Sequence, residues 1–189
     1  MRVTFTKTDH HRYGVYVHRD KAPDLWMYGP KYDDELPHDV IHFVGEAELG
    51  LDEAIFGDVA AGGNAKSFMP LDRDLIPKLW RQKRMHKYVL PEGRRSEDIA
   101  YVLEQLSHER RHGTARDPWV DELLARLRLD PERVDRALAW LDELAPQWAE
   151  LPAEGELTLE WPRPEGRKRH PPRDRYRKRS RQVRRPSRQ

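Results

Sequence analysis

The segment Pro37-His38-Asp39-Val40-Ile41-His42-Phe43-Val44-Gly45-Glu46 carries two histidines four apart, an acid directly after the first and another four after the second. On a helix that spacing stacks side chains on one face. Two neutral imidazoles at i and i+4 can share one divalent metal ion, and in zincin helices the residue after the first histidine is the general base. The pattern therefore predicts His38, His42 and Glu46 as metal-site residues. Asp39 is the expected catalytic base or an orienter of the ligands, and zinc, manganese or iron is the cofactor. Glu46 lies about two turns from His38, so a further ligand for the same ion must come from a part of the chain that spacing alone does not identify.

A helix that positions these groups has two faces. At ~100° per residue from His38, His42 falls near 40°, Glu46 near 80° and Asp39 near 100°, while Val40, Phe43, Val44, Ala47 and Leu51 gather at about 140–240°. The polar stripe is thus expected opposite the core face, open to solvent or to a cleft. From Asp33 to Ala65 there is no Lys or Arg, but there are nine acids: Asp33, Asp34, Glu35, Asp39, Glu46, Glu48, Asp52, Glu53 and Asp58. Such a window creates a negative field that favours a bound cation or a basic partner.

His38-Asp39-Val40-Ile41-His42 resembles the HDxxH of the coenzyme Q biosynthesis scaffold family, in which a downstream glutamate completes a zinc motif. The family's glutamate position falls on Ala54 here, with Glu53 one residue early. That family is mostly helical, and the resemblance covers five residues. The longer stretch Leu36 to Val44, with Ile55-Phe56-Gly57 and Ala60-Ala61-Gly62, resembles small proteins of GC-rich bacteria carrying a PHDxxHF segment, a resemblance that implies no activity.

Other motifs carry less. His108-Glu109-Arg110-Arg111-His112 matches HExxH, but two arginines occupy positions that zincin helices keep uncharged, and Gly113 ends the helix at once. Gly62-Gly63-Asn64-Ala65-Lys66-Ser67 has Ala60 and Ala65 where a phosphate loop requires glycine. His10-His11 reads as a hairpin turn, and Trp80, Trp119, Trp140, Trp148 and Trp161 as core or interface anchors.

The elements around the candidate site define an α+β domain. Val3/Phe5 and Tyr13/Val15/Val17 alternate as a hairpin, Leu25 to Tyr28 reads as a third strand, and Leu157/Leu159/Trp161 as a late strand returning to the sheet. Four or five helices are expected: about 37–49, 71–88, one capped by Ser96 and closed at Gly113, and two opened by Asp117-Pro118 and Asp130-Pro131. With no cysteine, disulfides and thiolate-ligated metals are excluded. No apolar run approaches the ~20 residues of a membrane span and no secretory segment is evident, so a soluble cytoplasmic protein with no membrane partner is expected.

Charge divides the chain. Residues 163–189 carry 13 Lys/Arg against Glu165 and Asp174, a net of +11, and residues 1–162 carry 22 basic against 31 acidic residues, a net of −9. The expected organisation is a single globular domain over 1–162 and a disordered Arg-rich tail over 163–189. Arg167, Lys168, Arg169, Arg175, Arg177, Lys178 and Arg179 are its candidate contacts with RNA or DNA phosphates or with an acidic partner. Docking on the chain's own acidic window is the intramolecular option. Together these features predict a small protein with a divalent-metal or cationic-ligand site on the HDxxH helix, performing metal-assisted hydrolysis if it is an enzyme. The alternative is a non-enzymatic nucleic-acid or protein-interaction module acting through the tail.

Overall fold

The computed structural model describes residues 1–8, 12–29, 36–65, 67–72, 74 and 90–165. Five strands form one antiparallel sheet: β1 (Arg2–Lys7), β2 (Tyr13–His18), β3 (Leu25–Tyr28), β4 (Met69–Pro70) and β5 (Glu156–Glu160), in the order β4-β3-β2-β1-β5. Alternation sets the register. Val3 and Phe5 of β1 lie opposite Val17 and Val15 on one side and Leu159 and Leu157 on the other, so all six apolar side chains share the buried face. The late strand returns beside β1 as its period predicts. β4 is an additional edge strand of two residues, too short for periodicity to register, and Pro70 is tolerated there because an edge needs no further donor.

Helices cover one side of the sheet: α1 (His38–Leu49), α2 (Ile55–Ala60), α3 (Gly93–His112), α4 (Trp119–Leu127) and α5 (Pro131–Glu150). Asp130 caps α5 through the Glu132 N–H at 3.0 Å with Pro131 in the first turn. In α4 the helix starts one residue later than the Asp-Pro signal suggests, and Asp117 Oδ1 accepts from the Trp119 N–H. Gly113 closes α3 in the left-handed conformation, φ +67°. Ser96 is not the cap of α3. The helix begins three residues earlier, at Gly93, and the Ser96 side chain faces α1 instead. Most of the helix expected over 71–88 lies outside the described residues, as does the His10-His11 turn.

α1 is the centre of the fold. It meets the sheet through the Phe5–Phe43 edge contact and the Tyr13–Asp39 hydrogen bond, and it packs against α2, α3 and α5. Every residue from Asp39 to Ala47 is buried. Of the polar stripe expected to face water, the sheet takes Asp39, α2 takes Glu46, His38 stays partly exposed, and α3 closes over His42. Gly45 makes this possible: a Cβ there would stand 3.0 Å from Leu103 Cδ1 and 3.2 Å from Ile99 Cγ2. Glycine inside a helix costs roughly 0.5–1 kcal/mol, offset here by the close approach of α3.

Among the described acids of the 33–65 window, Asp39, Glu46, Glu48, Asp52 and Asp58 are all engaged by this architecture. Asp58 accepts from the Ala65 N–H at 3.0 Å, and Glu48 pairs with Arg136 at 3.2 Å. Contacts of the body also extend past residue 162. Arg163 stacks on Trp161 and donates to the carbonyls of Ala47, Glu46 and Leu51 at 2.8, 3.2 and 3.4 Å. It also pairs with Asp52 at 2.8 Å. The Glu46 and Ala47 carbonyls lie in the last turn of α1, the negative end of its dipole, where a cation belongs. Glu165 accepts from the Asp20 and Lys21 N–H groups. Arg163 thus belongs to the folded body, two residues before the last described residue, Glu165, rather than to the tail. Residues 166–189, with all seven candidate contact residues from Arg167 to Arg179, lie outside the described residues.

Candidate metal centre

His38 and His42 direct their Nε2 atoms to one place, 3.1 Å apart. Glu97, in the second turn of α3, brings its Oε2 to 3.3 Å from His42 Nε2 and 3.7 Å from His38 Nε2. Three donors around a tetrahedral zinc with bonds of ~2.0–2.1 Å stand about 3.3–3.4 Å apart. The triangle formed here admits a point ~2.05 Å from every donor and ~0.6 Å off their plane, against ~0.7 Å in a regular tetrahedron. Their donor atoms are close enough together to be a candidate metal-holding group. His42 is 2% exposed, whereas His38 and Glu97 are 39% and 62% exposed, so the site opens to solvent on one side.

The second nitrogen of His42 is fixed from behind. Nδ1 stands 2.8 Å from Ser96 Oγ, and the Ser96 hydroxyl donates to Glu46 Oε1 at 2.6 Å. Because the serine proton points to the carboxylate, Oγ accepts from Nδ1–H. Neutral His42 is therefore held in the tautomer that leaves the Nε2 lone pair facing His38 and Glu97. This is the outer-layer arrangement that orients ligating histidines. Glu46 is anchored in turn by the first N–H groups of α2: Ile55 to Oε1 at 3.0 Å, and Phe56 and Gly57 to Oε2 at 2.7 and 3.2 Å. The positive end of that helix and a row of otherwise unpaired donors account for a carboxylate that is 1% exposed.

Electrostatics separate the four acidic and basic groups. Burial opposes a charge on His42, but its contact with Glu97 and the carboxylates of Glu46, Glu97 and Asp39 outweigh this and raise its pKa. The same His42 contact holds the Glu97 carboxyl below its ordinary range. Burial pushes the Glu46 and Asp39 carboxyls up, against hydrogen bonds from Ser96 and Tyr13 respectively and the nearby histidines. The Tyr13 hydroxyl donates to Asp39 Oδ2 at 2.5 Å, and burial, then Asp39 itself, raises the Tyr13 pKa.

Of the four expected site residues, the fold brings His38 and His42 together and assigns different places to the other two. Glu46 sits behind His42, 3.9 Å from Nδ1, and caps α2. Asp39 turns to the sheet and Tyr13, so its influence on the histidines is through charge, not through contact with the open side. Glu97 and Ser96 escaped sequence reasoning. Glu97 has no spacing relation to the HDxxH, and Ser96 reads as a cap because it precedes an apolar helical run. One signal was available: Ser96 lies three residues before Ile99, on the buried face of α3, where a hydroxyl requires a partner. The HExxH at 108–112 occupies the last turn of α3. There His108 Nδ1 stands 2.7 Å from Thr114 Oγ1, and Glu109 pairs with Arg116 at 2.6 Å.

Fold and site together define an α+β protein with a two-histidine, one-carboxylate cluster between two packed helices. No protein-family model, curated protein or solved structure matches the chain. No helix among the described residues is long and apolar enough to cross a membrane.

Proposed function

We propose that this protein binds one divalent metal ion through His38 Nε2, His42 Nε2 and Glu97 Oε2, and that the bound metal serves hydrolytic chemistry. The observation that supports this is the spacing of the three donors, 3.1, 3.3 and 3.7 Å. Zinc, iron and manganese all accept two imidazoles and a carboxylate, and zinc is the ion proposed here. Two histidines and a glutamate with a fourth direction open is the donor set of catalytic zinc, which supplies a water of lowered pKa. A structural zinc would close that fourth direction with another protein ligand. The chain's own contribution is to present His42 in one tautomer, to keep one donor dry and two wet, and to hold Glu97 ionised.

The test is elemental analysis of untagged protein with competitive titration against a chromophoric chelator. About one zinc per chain is expected, falling to background in H38A/H42A and by at least tenfold in affinity in E97A. Metal-free wild-type protein that binds zinc no better than H38A/H42A overturns the proposal.

A further inference from the structure

The C-terminal half of α3 borders a cavity of about 370 Å³ that shares no lining residue with the metal centre. Leu36, Ile41 of α1, Ala115 and Leu141 of α5 supply its apolar wall. On the polar wall, Glu104, Ser107, His108 and Arg111 recur at intervals of three and four, so they stack along one side of the helix. Two of them, His108 and Arg111, come from the HExxH match at 108–112.

Some polar groups of the lining are satisfied within the fold. His108 Nδ1 stands 2.7 Å from Thr114 Oγ1, and Gln105 Oε1 accepts from the Asp117 N–H at 3.5 Å. Two are not. Ser107 is 2% exposed, and its hydroxyl has no hydrogen-bond partner. Native structures rarely leave a buried hydroxyl in that condition, because the lost water is not replaced. Glu104 is half-buried and has no hydrogen-bond or ion-pair partner among the described residues. At 1.5 Å per residue its Cα stands about 10 Å along α3 from that of Arg111, beyond the three- or four-residue spacing at which side chains on a helix pair. One wall thus carries a carboxylate, then an unpartnered hydroxyl, then a guanidinium.

These charges select the occupant. A phosphate that met Arg111 would face the Glu104 carboxylate on the same wall, and a simple cation at Glu104 would face the guanidinium. A wholly apolar ligand would strip water from both charges and return no partner. A zwitterion answers both. Its ammonium group pairs with Glu104, and its carboxylate accepts from the Arg111 fork and the Ser107 O–H. An aliphatic side chain lies against Leu36, Ile41 and Leu141. The separation of Glu104 and Arg111, shortened by the reach of their side chains, suits a chain of two residues, which spans at most about 7 Å. From the Glu104-Ser107-Arg111 wall of this cavity, we infer that the protein binds a zwitterionic dipeptide with an aliphatic side chain. The inference is independent of the metal reading.

The test is calorimetric titration of the full-length chain with alanyl-leucine, N-acetyl-alanyl-leucine and alanyl-leucine amide, run in chelator so that no metal-dependent step intervenes. Alanyl-leucine is expected to bind, and blocking either end to weaken it by at least about tenfold. In E104Q the acetylated and free dipeptides bind alike, and in R111Q the amide and the free dipeptide do. S107A deletes a hydroxyl with no partner in the fold, so it melts no lower than wild type and yet binds the dipeptide more weakly. E104Q alters a side chain that makes no contact the fold relies on, which keeps the test decisive whether or not R111Q folds. No binding of alanyl-leucine at millimolar concentration, equal binding of the three peptides, or wild-type affinity in E104Q overturns the inference. So does tighter binding of free leucine than of alanyl-leucine.

Discussion

Ser96 Oγ stands 2.8 Å from His42 Nδ1 and donates its own hydrogen bond to Glu46. One hydroxyl on α3 therefore decides which nitrogen of a histidine on α1 is free to ligate. Replacing Ser96 by alanine removes that acceptor and leaves Glu46 one donor short, with all three proposed ligands intact. Zinc affinity in S96A is expected to fall about 10–100-fold, as for other outer-layer partners of ligating histidines. Chelator competition measures this directly. An unchanged affinity would show that the tautomer is not set by Ser96.

Metal binding should depend on pH with a definite sign. A protonated His42 cannot ligate, and its folded pKa is raised. Zinc affinity is therefore expected to decline as pH falls, beginning above the ordinary histidine value of ~6.5. Stability of the metal-free protein runs the other way. A raised histidine stabilises the fold below its unfolded pKa and loses that contribution as pH rises through the folded pKa. Asp39 and Glu46, raised carboxyls, likewise favour the fold as pH falls. Melting of metal-free protein should shift upward from about pH 8 to about pH 6, and H42A should flatten that dependence.

Tyr13 and Asp39 form a second buried relationship whose two halves respond differently to substitution. Y13F removes the donor to a buried carboxyl and is expected to cost about 2–3 kcal/mol. D39N leaves Tyr13 an acceptor and removes a desolvated charge, so it should be at least as stable as wild type at neutral pH. Urea melts of the two variants give the comparison. D39N should also retain zinc, because Asp39 lies on the sheet side of α1.

Arg163 ties the end of the body to the C-terminus of α1. R163A is expected to cost about 1–2 kcal/mol through loss of its carbonyl contacts and the dipole interaction. A chain ending at 165 should melt higher than one ending at 162, and calorimetry on the pair would show it.

The four longer strands and four of the five described helices are legible in the sequence, because period-2 and period-3.6 patterns are local. Val3/Phe5, Tyr13/Val15/Val17 and Leu157/Leu159 each announce a buried strand face, and Asp130-Pro131 announces a helix start. The sequence also determined the histidine pair, since i,i+4 stacking is a property of one helix. Tertiary structure alone decided the third donor, the fate of Glu46 and the burial of the polar stripe. Glu97 reaches His42 from 55 residues away across a close approach of α3 to α1 at Gly45. Glu46 is drawn to the first amides of α2 because their donors have no other acceptor. A helical wheel counts the polar face of α1 as wet for want of any information about what packs on it. The fold turns Asp39 to the sheet and Glu46 to α2, and brings over His42 the helix that supplies a serine and a glutamate at the right height.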